Sequence, residues 1–214
     1  GRAGPPLQGG LPGVAGRLAR DPRRGDDASV QATNDDALVT KLSAVAAGYY
    51  SDPFLGAFAP RGRGPTPRRS PIMNRGTYAR VAAVRSYVAS FLARARATDP
   101  TGRAQVVSLG AGFDTLPFVL ADATGAPPAT AYLELDMAEV VARKIGYMRK
   151  SSAFKELLGP DAVFKESLAR AGWYTCTRAD LRSPEAVLEA MADAGLEPDA
   201  PTLLLSECVM VYME

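Results

Sequence analysis

The chain has 214 residues, 47% hydrophobic and 22% charged, with a formal net charge of +2, so it can bury one core and is too apolar for wholesale disorder. Histidine is absent, which excludes the commonest general base, a Ser-His-Asp arrangement and most catalytic metal sites, and no metal is expected. Two cysteines, Cys176 and Cys208, make no disulfide framework and fit a reducing compartment, a near-neutral charge gives no reason to expect nucleic acid, and no apolar run approaches the ~20 residues of a membrane helix.

Residues 1–33 are rich in Gly, Pro, Arg and Ala with no sustained apolar period, and read as a disordered extension. Their arginines resemble those of a transit peptide, but Pro5, Pro6, Gly9, Gly10, Pro12 and Gly13 would break its amphipathic helix. Periodic structure begins with a helix capped by Asp35 or Asp36, carrying Leu38, Leu42 and Val45 on one face and ending at Gly48. A loop punctuated by Pro and Arg follows from Tyr49 to Arg75. A second helix is expected from an Asn74 cap to about Ala97, with Val81, Val84, Val88 and Phe91 on one face.

From Gln105 the pattern becomes strands alternating with helices. The strands are "QVVSLG", "TAYLELD", "WYTCT" and "TLLLSECVMVYM". Helices are expected over 115–120, 137–150 and 183–194, the last framed by Ser183 as cap, Pro184 in the first turn and Gly195 at the end. Such alternation predicts an α/β fold with a parallel, doubly wound sheet covered by helices on both faces. With only four strands apparent, the sheet reads as unfinished.

The strongest local signal is "VVSLGAGFDT", a buried strand running into Gly110, Ala111 and Gly112 and then a helix. Glycines suit a sharp turn with close ligand approach, and the turn is expected to leave helix-start N–H groups free for a polar ligand, though such turns also occur for geometry alone. A dinucleotide fingerprint would place a third glycine where Thr115 stands, which disfavours NAD. Glu134 and Asp136 share one face of the second strand, where a carboxylate can accept hydrogen bonds from ribose hydroxyls or cap the next helix. Asp180 and Leu181 follow the third strand, where they could read an adenine amino group or form a solvated turn. Glu207, in an apolar run, requires a cationic or hydrogen-bonding partner at the carboxyl end of the fourth strand.

With these pieces in place the chain resembles the leucine carboxyl methyltransferase family from about Asn34 to Met213. The resemblance is carried by "GYYSDPF", "PIMNRGTYAR", "VSLGAGFDTLPF", "LELDMAEVVARK", "ADLR" and "PTLLLSECVMVYM". It implies a class I S-adenosylmethionine-dependent methyltransferase fold, Rossmann-like, with two N-terminal helices closing over the cofactor. Its domain would comprise helices in 34–100 and a cofactor-binding α/β part in 101–214, with further strands and a substrate-gripping insertion beyond. By the same resemblance the cofactor contacts are Lys41, Arg80, Gly110, Asp136, Asp180, Leu181 and Glu207, with Arg80 clamping the methionine carboxylate. The implied reaction is methyl esterification of the C-terminal leucine α-carboxylate of the protein phosphatase 2A catalytic subunit, by a cytoplasmic monomer that aligns its reactants without a general base. A relative acting on a tRNA wybutosine precursor, an O-methyltransferase of small carboxylates, and a non-catalytic cofactor-binding or interaction fragment are the alternatives. Residues 1–214 are expected to esterify little by themselves.

Overall fold

A computed structural model describes residues 22–59 and 68–212, with side chains described from residue 33 onward. Helix α1 spans Pro22–Ala46, so it starts well before the expected cap. Asp35 and Asp36 instead lie along its flank, ion-paired with Arg143 and Arg69. Of the expected N-terminal extension, residues 1–21 lie outside the described residues and 22–33 are helical. The helix ends as read: Gly48 takes φ +77°, its N–H reaches the Val45 carbonyl at 2.9 Å, and the Tyr49 N–H reaches Ala44 at 3.0 Å. This pair of bonds caps the last carbonyls and needs a left-handed residue at Gly48.

The expected loop contains structure. Asp52 Oδ1 accepts the N–H groups of Phe54 and Leu55 at 3.1 and 3.0 Å, opening a 3-10 turn over Leu55–Phe58. Phe54 and Phe58 are buried in an aromatic cluster with Phe113, Phe118 and Phe154. Helix α2 spans Pro71–Thr98, preceded by Ser70. Asn74 is therefore not its cap but lies in its first turns, buried, with Oδ1 accepting the Ser43 hydroxyl at 3.0 Å. That bond ties α2 to α1.

Strands β1 (Gln105–Leu109), β2 (Ala131–Asp136), β5 (Tyr174–Arg178) and β6 (Thr202–Ser206) are the four expected ones. Between β2 and β5 lie helices α4 (Ala138–Met148) and α5 (Ser152–Leu158), then two short strands, β3 (Val163–Phe164) and β4 (Leu168–Ala171). The sheet order is β3-β4-β5-β2-β1-β6. The four long strands run parallel, whereas β3 and β4 add antiparallel pairs, so the sheet is mostly rather than wholly parallel. Strands of two and four residues are too short to show alternation, which is why this stretch carried no strand signal. The last strand is shorter than expected: it stops at Ser206, and Cys208, at φ +54°, turns the chain into a 3-10 turn over Met210–Tyr212.

Alternation along β1 and β2 splits the core. Val106 and Tyr132 pack under α2 with Val88, Leu92 and Ala95. Val107, Leu133 and Leu135 face Ala190 of helix α6 (Pro184–Asp193) on the other side. Ser183 caps α6 as expected, its hydroxyl accepting the Ala186 N–H at 3.2 Å. Helix α3 (Leu116–Thr124) follows β1. The chain crosses from β1 to β2 on one side while β6 pairs on the other, so the carboxyl ends of β1 and β6 border the crevice where such sheets take ligands. Among the described residues no helix is long and apolar enough to cross a membrane.

Candidate functional site

That crevice opens into a cavity of about 750 Å³ lined by all seven residues singled out from the sequence: Lys41, Arg80, Gly110, Asp136, Asp180, Leu181 and Glu207. They arrive from α1, α2, the turn after β1, the ends of β2, β5 and β6. Glu207 has the cationic partner its apolar surroundings demanded, Arg80 Nε at 2.8 Å from Oε1. The pair is a close ion pair not aligned as a hydrogen bond, and the buried Nε–H has no other acceptor among the described residues. A second Arg80 nitrogen, Nη1, lies 3.6 Å from Cys208 Sγ.

Lys41 makes an ion pair with Asp114 at 3.0 Å. Burial disfavours the Lys41 charge, but Asp114 and then Glu207 outweigh it and push its pKa up to about 12. Burial likewise opposes the charge on Asp114, yet Lys41 and Lys144 hold its carboxyl below the ordinary carboxylate range. Asp114 stands four residues into the glycine turn and was not singled out from the sequence.

The turn itself differs from expectation in one respect. The N–H groups of Gly110 and Ala111 both donate to the Leu135 carbonyl at 2.8 and 3.0 Å, and that of Asp114 donates to Ala111 at 2.9 Å. Those of Gly112 and Phe113 go to Asp136 Oδ2 at 2.6 Å and Asn34 Oδ1 at 2.9 Å. No N–H from Gly110 to Asp114 is free for a ligand. A pyrophosphate site requires such free donors, so the turn suits a ligand without phosphate. The glycines are also explained internally: a Cβ on Gly110 would sit 2.5 Å from Val209 Cγ2, and one on Gly112 would sit 2.6 Å from Asn34 Oδ1.

Asp136 lines the cavity and binds backbone at the start of α4. Its Oδ1 accepts the Met137 N–H at 2.7 Å at the start of α4 while Oδ2 holds Gly112. Burial raises its pKa, opposed by these two bonds. Glu134, on the same strand face, does not reach the cavity. It is wholly buried beneath α4, where Lys144 Nζ at 2.6 Å and the Tyr174 hydroxyl at 2.5 Å donate to Oε2, and Oε1 has no hydrogen-bond partner among the described residues. Burial raises its pKa, and Lys144 and Tyr174 oppose the rise. Asp180 is half exposed and held by its neighbour, Arg182 Nε at 2.9 Å and Nη2 at 2.8 Å. The carboxylate is thus partly engaged, while Leu181 lines the wall beside it.

Residues 26–214 match the model of the leucine carboxyl methyltransferase family. The chain belongs to that family. It is 36% identical over 193 residues to the leucine carboxyl methyltransferase 1 homolog of Arabidopsis thaliana, covering 89% of this chain and 55% of that protein. Its identity to leucine carboxyl methyltransferase 1 of Caenorhabditis elegans is 39% over 195 residues, covering 88% and 56%. A human relative, tRNA wybutosine-synthesizing protein 4, is 38% identical over 202 residues, 93% of this chain and 28% of that protein. The chain spans about half the length of the leucine carboxyl methyltransferases it matches.

The cavity fits the cofactor this family name implies. Arg80 and Glu207 give the cavity a guanidinium and a carboxylate side by side, groups of the kind that hold the carboxylate and ammonium of an amino acid. Asp136 adds a carboxylate at the end of β2, and the turn, whose N–H groups from Gly110 to Asp114 are all engaged, suits a ligand that carries no phosphate.

Proposed function

We propose that the cavity binds S-adenosyl-L-methionine and that the chain is the cofactor-binding part of a methyltransferase that esterifies the C-terminal leucine of the protein phosphatase 2A catalytic subunit. The observation that carries this reading is the convergence of Arg80, Glu207 and Asp136, from three separate elements, on one cavity beside a glycine turn whose own donors are spent. In this reading Arg80 holds the methionine carboxylate, Glu207 the amino group, Gly110 the side-chain wall, Asp136 the ribose, and Asp180 with Leu181 the adenine. Lys41 contributes positive charge at the methionine end. The bound cofactor supplies an electrophilic methyl on a sulfonium, and the protein's task is alignment.

A C-terminal α-carboxylate ionises at pKa roughly 3.3–3.7 and is already a nucleophile at neutral pH. No side chain has to remove a proton, which agrees with a site built without histidine. Positioning of this kind can supply roughly 7–11 kcal/mol. The acceptor, the cytoplasmic setting and a monomeric state rest on the family resemblance. The human relative named for wybutosine synthesis motivates tRNA as a second acceptor to be tested alongside a leucyl peptide.

Titration of S-adenosylmethionine and its demethylated product into the chain by calorimetry tests the reading. Arg80→Ala and Asp136→Ala should each weaken binding by about 10- to 100-fold, the equivalent of a charge-assisted hydrogen bond of roughly 1.5–3 kcal/mol. Absence of binding by folded chain would overturn it.

A further inference from the structure

Asn34 lines the same cavity but was outside the set the sequence supplied. It sits on α1 one residue before the paired aspartates, and its carboxamide is only half used. Oδ1 accepts the Phe113 N–H at 2.9 Å, which fixes the amide orientation, because only oxygen can accept there. Nδ2 is then the free end, and it is buried with no hydrogen-bond partner among the described residues. A buried unpaired donor is a net loss to the fold, and a ligand acceptor would recover it. Two further facts locate it. Gly112, whose N–H binds Asp136 Oδ2, is kept free of a side chain by Asn34 itself, since a Cβ there would lie 2.6 Å from Oδ1. Asn34 and Asp136 thus hold consecutive N–H groups of one turn, Phe113 and Gly112, and border the cavity side by side.

We propose that Asn34 is a further cofactor contact, donating its carboxamide N–H to a ribose hydroxyl whose own proton is accepted by Asp136. A hydroxyl is both donor and acceptor, and this pair of side chains offers the complement of each. Asp136 alone would accept from any hydroxyl, while the pair requires a hydroxyl oxygen oriented to accept as well. The assignment rests on the cofactor reading above and extends it to α1.

The experiment titrates S-adenosylhomocysteine and its 2′-deoxy and 3′-deoxy analogues into the chain and into Asn34→Ala and Asn34→Asp. Asn34→Asp keeps the oxygen that accepts the Phe113 N–H and removes the donor, so folding through the turn is retained while the contact is lost. In the unmodified chain, deletion of the recognised hydroxyl should weaken binding about tenfold. That ratio should fall at least threefold in both variants, whereas charge repulsion from the new aspartate would weaken all three ligands alike. An unchanged ratio in both variants overturns the assignment and leaves the cofactor reading intact. Failure of the unmodified chain to bind S-adenosylhomocysteine overturns both.

Discussion

Gly110 illustrates how a residue can be required at a ligand site for reasons internal to the protein. Its φ of +69° disfavours any side chain, and Val209 occupies the place a Cβ would take. Gly110→Ala should therefore lose about 1–3 kcal/mol of stability from the backbone alone, read as a lower denaturant midpoint. Val209→Ala in the same background should restore only the packing part, because φ is unchanged. Of the seven expected residues that line the cavity, six were legible because each stands where a strand ends, a glycine turn forms or a motif of the family recurs, and Lys41, within α1, was named from the family resemblance alone. Asn34 and Asp114 were not legible, since their significance lies in which residue approaches from another element. Asn34 fell at the supposed edge of the extension, where no apolar period marked the helix, and Asp114 carried no signal until Lys41 was seen beside it.

At the scale of elements, α4 is held to the sheet by chemistry that its sequence half discloses. Val140, Val141, Ile145 and Met148 form its buried stripe, and Lys144 lies within that stripe, 1% exposed, against Glu134 on β2. A lysine on an apolar face beside a strand carboxylate was the available signal, but strand alternation alone assigned Glu134 to the ligand face with Asp136. Alternation gives the side of the sheet correctly and is silent on whether helix or cavity covers that position. Lys144→Met should cost about 3–5 kcal/mol by leaving Glu134 buried without its cation, and adding Glu134→Gln should recover much of it. Chemical denaturation of the two variants and the double variant distinguishes this from simple loss of packing, which the second substitution would not repair. The helix boundaries show a similar division. The end of α1 at Gly48 and the cap of α6 at Ser183 follow from local chemistry, whereas Asp35, Asp36 and Asn74, expected as caps, are taken up by tertiary contacts with Arg143, Arg69 and Ser43.

For the whole molecule, the Lys41–Asp114 pair fastens the N-terminal helix to the α/β part, and its ionisation sets a pH window for that attachment. Asp114 has a folded pKa below its ordinary 3.8, so its contribution is present above that value and is lost as pH falls through the folded value. Lys41, raised from 10.5 to about 12, contributes fully below its ordinary value and loses that contribution as pH rises through the folded one. Asp114→Asn should be less stable than the unmodified chain at neutral pH, and the gap should close on acidification below about pH 4. A gap independent of pH would show that the ion pair is not the fastening.

The cavity also imposes an order on its own assembly. The bonds from α1 to the glycine turn join residues 73 and 79 positions apart, whereas Arg80 meets the segment after β6 across 128. On a ribosome extending at roughly 5–20 residues per second, α1 can find its partners many seconds of synthesis before α2 can find Glu207. Until then Arg80 is a cation without its anion, and the nascent chain carries a half-walled site open to solvent. Among the described residues β6 is thus both the second parallel neighbour of β1 and the strand whose end brings Glu207 to Arg80.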